Sequence, residues 1–223
     1  MKDARWAEVD RYIAETLVGR DAALDAAAHD TDAAGLPPIS VTPSHGKLLM
    51  LLATMCGARR ILEIGTLGGY SAIWMAKALP PDGQLVTLEI DPRRAEVARA
   101  NIARAGFGRV VDVRVGRAID VLPTIAAARG APFDLVFIDA DKPSNPEYFA
   151  WALELTRRGG VIVVDNVVRD GAIVDAKSTD ASVLGVRRLN ELIAAEPRVR
   201  ATTIQTVGAK GYDGFTLAVV TGA

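Results

Sequence analysis

Two runs of consecutive apolar residues, Leu135-Val136-Phe137-Ile138 and Val161-Ile162-Val163-Val164, constrain this chain more than any other feature. A strand with one wet face alternates apolar and polar residues, so unbroken runs of this length read as strands buried on both faces, the signature of a parallel sheet with helices above and below. The flanking sequence supplies those helices. From Ser44 the pattern alternates: helix to Cys56, strand Ile61–Gly65, helix Gly69–Leu79, strand Gln84–Glu89, helix Pro92–Ala105, strand Val110–Val115 and helix Ala118–Ala128. Strand Asp134–Asp139, helix Asn145–Thr156, strand Val161–Asp165, helix Ala181–Ala195 and strands Ala201–Val207 and Phe215–Val220 complete it. Right-handed crossovers join such units into a doubly wound α/β sheet. The seven residues Gly208–Gly214 are too few for a crossover helix, so the last two strands pair antiparallel, giving seven strands with one reversed. Before this core, Trp6, Val9, Ile13 and Leu17 form a helical stripe within residues 3–18, a second alanine-rich helix follows Gly19, and Gly35-Leu36-Pro37-Pro38 reads as an extended connection. The expectation is a single domain over 1–223, with residues 1–38 a helical extension and 39–223 the core.

At 223 residues the chain can bury roughly 70% of its extended surface and needs no staple. Lys and Arg number 26 against 27 Asp and Glu, a net charge of −1, which supplies no field for nucleic acid or an anionic membrane and favours a small-molecule partner. Cys56 is the single cysteine and His29 and His45 the two histidines, so zinc and iron–sulfur sites lack ligands and any metal must be held by oxygen, as Mg²⁺, Mn²⁺ or Ca²⁺ would be. No apolar run approaches the ~20 residues of a membrane span, and the charged start MKDARWAEVD is unlike a secretory signal; a cytoplasmic location is expected.

In a doubly wound sheet ligands sit at the carboxyl ends of the strands. The first strand runs into Gly65-Thr66-Leu67-Gly68-Gly69, a G-x-x-G-G turn that lets backbone approach a ligand but lacks the G-x-G-x-x-G spacing of a dinucleotide site. The second ends at Glu89, about 20 residues on, where an acid can grip ribose hydroxyls. The fourth and fifth end in Asp139-Ala140-Asp141-Lys142 and Asp165-Asn166. Asp139, Asp165 and Asn166 together make an oxygen-donor set for a divalent cation, although any one of them alone could simply cap the next segment. Burial and a neighbouring cation would favour the neutral amine of Lys142 and make it a usable base.

The segments LEIGTLGGYS, LEIDPRRAEVARANI, FIDADK and VVDNV resemble the cation-dependent O-methyltransferases, the family of catechol and caffeoyl-CoA O-methyltransferases and their bacterial relatives, from about Ile39 to Val220. The resemblance implies a Rossmann-like class I methyltransferase fold, S-adenosylmethionine as donor, and Mg²⁺ or a similar ion on Asp139, Asp165 and Asn166. It places Glu63, Gly65, Thr66 and Ser71 around the methionine half of the donor, Glu89 on its ribose, Ala118 near its adenine, and Asp141 and Val41 near its amino-acid end. Lys142, beside Asp139, matches the catalytic lysine. A phenolic acceptor with adjacent hydroxyls and a homodimer are also implied, the segment Lys2–Asp30 covering the site or meeting a second subunit. Four residues after the Asp-Asn pair this chain has Asp170, where plant members carry asparagine.

The chemistry is consistent with these residues. A phenol, with pKa about 10, needs a cation and a base before its oxygen becomes a good nucleophile at neutral pH. No placed Ser, His or Cys suggests a covalent intermediate. Rival readings fare worse. A short-chain dehydrogenase needs Tyr-x-x-x-Lys, but Thr16, Trp74, Ala152 and Thr216 stand four beyond the tyrosines, and Gly46-Lys47 lacks a P-loop context. A donor-binding protein without turnover would not need Asp139, Lys142, Asp165 and Asn166 together. The loop Arg169–Ser178 is the expected lid over the acceptor.

Overall fold

A computed structural model describes residues 4–222; Lys2 and Asp3, with which the amino-terminal segment was expected to begin, lie outside the described residues. The core is one seven-stranded sheet in the order β3-β2-β1-β4-β5-β7-β6. Its strands are β1 (Arg60–Ile64), β2 (Gln84–Glu89), β3 (Val111–Val115), β4 (Phe133–Ile138), β5 (Thr156–Asp165), β6 (Val199–Gly208) and β7 (Gly211–Val220). β7 runs antiparallel to both β5 and β6, and the pairings from β3 through β5 are parallel. The order reverses beside β1, where two crossovers leave in opposite directions and open a crevice at the strand ends.

Alternate residues of each central strand enter different cores. Ile61, Leu85, Leu135, Phe137 and Val163 pack on one face, and Leu62, Ile64, Val86, Val136, Ile138, Ile162 and Val164 on the other. Each such side chain contributes about 1.5–3 kcal/mol on burial, which is why the runs contain no polar residue. Helices α3 (Pro43–Met55), α4 (Tyr70–Ala76), α5 (Pro92–Arg104), α6 (Ala118–Ala127), α7 (Asn145–Leu155) and α8 (Ala181–Ala195) cover the faces, preceded by α1 (Ala4–Ile13) and α2 (Ala22–Ala33). Several start where the sequence supplies a cap: the Thr42 hydroxyl accepts from His45 N ahead of Pro43, and the Asp91 carboxylate accepts from Arg93 N ahead of Pro92.

The structure corrects several boundaries. β5 begins at Thr156 rather than Val161, taking in the polar Arg157-Arg158-Gly159-Gly160. The last hairpin has two ten-residue strands that meet at Gly208 and Gly211, leaving only Ala209 and Lys210 in the turn. Gly214, read as loop, lies inside β7 opposite Gln205, and glycine is needed there because a Cβ would run into the Ile204 carbonyl oxygen on β6. The α1 stripe continues through a π-helical turn, Ala14–Val18, and buries none of its residues. α1 instead docks on the β6–β7 hairpin, where Asp10 accepts from Ala209 N at 2.7 Å. α2 packs onto the glycine turn, where a Cβ on Gly68 would strike the Thr31 hydroxyl, and from α5 Asn101 Nδ2 donates to Gly68 O at 2.9 Å. No helix among the described residues is long and apolar enough to cross a membrane.

Candidate active site

A cavity of about 620 Å³ opens at the carboxyl ends of β1, β2 and β4. Gly65, Thr66, Ser71, Glu89 and Ala118 line one side; Asp139, Asp141, Lys142 and Asn166 line the other; Val41 closes it from the connection before α3. Two residues of the expected set, Glu63 and Asp165, do not face this space, and Ile39, Ser40, Tyr70, Arg94 and Tyr148 do without having been anticipated. Those five sit on loops or helix faces whose direction follows from packing rather than local pattern.

The first side is a satisfied hydrogen-bond network. Gly65 has φ 101°, and a Cβ there would collide with the Asp139 carbonyl oxygen, so glycine is what lets the ends of β1 and β4 close together. Behind the turn Glu63 is fully buried. Ser71 Oγ donates to its Oε1 at 2.5 Å and Thr87 Oγ1 to its Oε2 at 2.6 Å, with Thr66 Oγ1 a further 2.5 Å from Thr87. Burial pushes the Glu63 carboxyl up to about 8, while both hydroxyls oppose the shift. Glu63 is thus a brace beneath the turn, and Thr87, its partner on β2, carries no signal in the sequence. Glu89, 4% exposed, accepts from Leu67 N at 2.8 Å and Asp91 N at 3.0 Å, so it faces the cavity with its orientation already fixed.

The second side is electrostatically crowded. Lys142 is buried, and its Nζ donates to Asp139 Oδ1 at 2.9 Å. A glycine on α8 makes this possible: a Cβ on Gly185 would strike the Lys142 carbonyl oxygen, so α8 could not lie against the turn that carries the lysine. Asp141 accepts from Tyr148 Oη at 2.6 Å and from Ser144 Oγ, and burial, followed by the Asp141 charge, raises the tyrosine's pKa. Asp165 is 6% exposed and accepts from Asn166 N; burial first and the charge of Asp139 second push its carboxyl well above the usual carboxylate range. His45, on α3, reaches to 3.7 Å from Asp165 with its ring against Phe137 and Phe215. Burial holds the imidazole below its ordinary pKa, Asp139 opposing that shift and Lys210 reinforcing it.

Among the described residues no three His, Cys, Asp or Glu side chains gather around one point, so the two carboxylates need Asn166 as a third donor. That donor set suits a hard divalent cation. Two like charges held together in a buried place gain from a positive charge between them, and all three donors are oxygens.

A family profile described as O-methyltransferase matches residues 15–220. A catechol O-methyltransferase of Niastella koreensis is 52% identical over 220 residues, covering 99% of this chain and 100% of that protein. One from Mycobacterium tuberculosis is 55% identical over 213 residues, covering 96% and 95%. Among solved structures, the O-methyltransferase TomG of Streptomyces achromogenes, involved in tomaymycin synthesis and crystallised with SAM, superposes with a TM-score of 0.96 at 55% identity over 100% of both chains. With a profile spanning nearly its whole length and relatives above half identity, this chain belongs to the O-methyltransferase family.

Proposed function

We propose that this enzyme transfers a methyl group from S-adenosylmethionine to one hydroxyl of a vicinal diphenol, with a divalent cation on Asp139, Asp165 and Asn166. The observation that carries the reading is the pairing of Asp139, on the cavity wall beside Lys142 and opposite Glu89 and the glycine turn, with Asp165 buried just behind that wall. When bound, the cation supplies positive charge that favours phenolate over phenol, and the donor supplies an electrophilic methyl.

The chain's own residues do the rest. Glu89 takes the ribose hydroxyls, its free lone pairs aimed by the Leu67 and Asp91 amides. Gly65 and Thr66 admit the methionine half, Glu63 holds their turn in place, Ala118 borders the adenine, and Asp141 and Val41 border the amino-acid end. Lys142 accepts the phenolic proton at Nζ from a position fixed by Asp139 on one side and by the close passage of α8 on the other. Catalysis then consists of orientation and electrostatics: the acceptor oxygen is held in line with the methyl, with no covalent enzyme intermediate.

The 52% and 55% identity to catechol O-methyltransferases supports the acceptor class, and the exposed Val9 and Leu17 of the amino-terminal segment support a homodimer. The test is a panel of vicinal diphenols and matching monophenols incubated with S-adenosylmethionine and Mg²⁺, read as a mass gain of one methyl. Turnover of diphenols only, abolished by EDTA and restored by Mg²⁺ or Mn²⁺, is the expected result. Full activity after exhaustive chelation defeats the cation reading, and equal turnover of monophenols defeats the acceptor class. Light scattering at micromolar concentration should give twice the 23.6 kDa chain mass.

A further inference from the structure

The segment that follows β5 holds an unusual concentration of left-handed backbone. Asn166, Arg169 and Asp170 have φ of 56°, 57° and 53°, and Gly171 has 84°. Glycine is indifferent to this region and asparagine and aspartate tolerate it better than most, but arginine does not; non-glycine residues held there cost on the order of 1–3 kcal/mol each and persist only where surroundings over-determine them. Something must therefore hold residues 166–171.

Asp213 is placed to do so. The β5–β7 ladder ends with Asp165 opposite Phe215, and the next bond on that side is Val167 N to Gly214 O at 3.0 Å. Beyond it a side chain takes over from the backbone: Asp213 Oδ1 accepts from Val168 N at 2.9 Å, Arg169 N at 3.0 Å and Gly214 N at 2.9 Å. Its Oδ2 lies 3.8 Å from Arg169 Nη1. Val167 and Val168 are 1% and 2% exposed, pinned between this carboxylate and the core, and a Cβ on Gly214 would press on Val168 Cγ2 at 2.7 Å. The neighbours of Asp213 thus leave one path for the chain, and that path sets the direction of Asn166, which faces the cavity, and of Asp165 before it.

We infer that Asp213 is a positioning residue for the cation site: its carboxylate fixes the strained 166–171 turn and thereby aims Asn166 and Asp165. The inference rests on the reading of Asp139, Asp165 and Asn166 as cation ligands. It concerns a residue 47 positions along the chain from Asn166 that touches neither donor nor acceptor.

The experiment pairs two readouts on the donor-free protein. In Asp213→Ala, hydrogen exchange at the amides of Val168 and Arg169 is expected to accelerate roughly tenfold or more, the consequence of losing a charged acceptor. Mn²⁺ affinity, read from the electron paramagnetic resonance of the free ion, is expected to fall about 10–100-fold, the usual effect of removing a ligand's orienting partner. S-adenosylhomocysteine affinity by calorimetry should stay within twofold, since the glycine turn lies across the cavity. Asp213→Asn keeps one acceptor oxygen and the side-chain volume; it should fall between wild type and alanine in both readouts, and it keeps the test open should the alanine variant not fold. Unchanged amide exchange, or Mn²⁺ affinity within twofold of wild type in the folded variants, overturns the inference. Faster exchange in a protein whose wild type binds no Mn²⁺ overturns the cation reading itself, and with it the aiming of ligands.

Discussion

The two sides of the cavity are built on opposite principles. At the ends of β1 and β2 polar groups find partners and the sharpest backbone turns fall mainly to glycine: Glu63 has Ser71 and Thr87, Glu89 has two amides, and Gly65 and Gly69 take φ of 101° and 84°. At the ends of β4 and β5 two carboxylates repel each other, non-glycine residues sit in left-handed conformations, and buried His45 Nε2 has no hydrogen-bond partner among the described residues. The first side is a preformed mould for a donor with fixed shape. On the reading proposed above, the second is the side that receives positive charge and the reacting oxygen. Backbone strain gathers at sites of chemistry, and the rest of the fold offsets it.

If the sides are separable, damage to one should spare the other. The largest effect is expected at Lys142: Lys142→Ala should lower kcat by roughly 10²–10⁴-fold, the range for a positioned acid or base, with donor affinity unchanged. Part of the loss should return as pH rises, since hydroxide can then remove the phenolic proton. A deficit equal at every pH would make Lys142 an anchor, and a parallel loss of donor affinity would break the separation. Gly65→Ala attacks a point where the sides meet, because its Cβ would enter the Asp139 carbonyl. Left-handed strain plus overpacking should cost about 2–4 kcal/mol in urea unfolding and weaken donor and Mn²⁺ binding together.

Smaller effects sharpen the donor side. Glu89→Ala should weaken S-adenosylmethionine binding by about 1.5–3 kcal/mol, the scale of hydrogen bonds to a charged group, leaving Mn²⁺ affinity alone. An unchanged dissociation constant would limit Glu89 to bracing Leu67. Glu63 supplies a pH test. With its folded carboxyl raised to about 8 from an ordinary 4.5, the native state keeps a proton that the unfolded chain releases. Its contribution is therefore fully present below about pH 4.5 and lost as pH climbs through about 8. Melting temperature should fall between about pH 4.5 and about pH 8 and level off above, and Glu63→Gln should flatten that fall; the same slope in both proteins would show that another group titrates.

The central strands were legible because burial on both faces leaves unbroken apolar runs, and the residues proposed for the site stand out because they follow those runs directly. The failures share a cause. The first half of β5 and the long β6–β7 hairpin are rich in arginine, threonine and glycine, residues that read as loop until the partner strand is known. For β6 edge position adds to this: it is exposed along most of its length, so hydrophobic selection is weak there.

The sequence by itself determined the alternating α/β order, the reversed last strand, and the identity of the acids, amide and lysine at the strand ends. Only the tertiary structure decided how those groups are used. It buried Glu63 beneath the glycine turn, made Thr87 its partner, set Gly185 against the lysine turn and gave Asp213 two amides from the far side of a crossover. Burial leaves a periodic trace along the chain because each residue meets the core on its own. A hydrogen bond between residues 24 or 45 positions apart depends on strand register and helix approach, which the whole packed molecule sets.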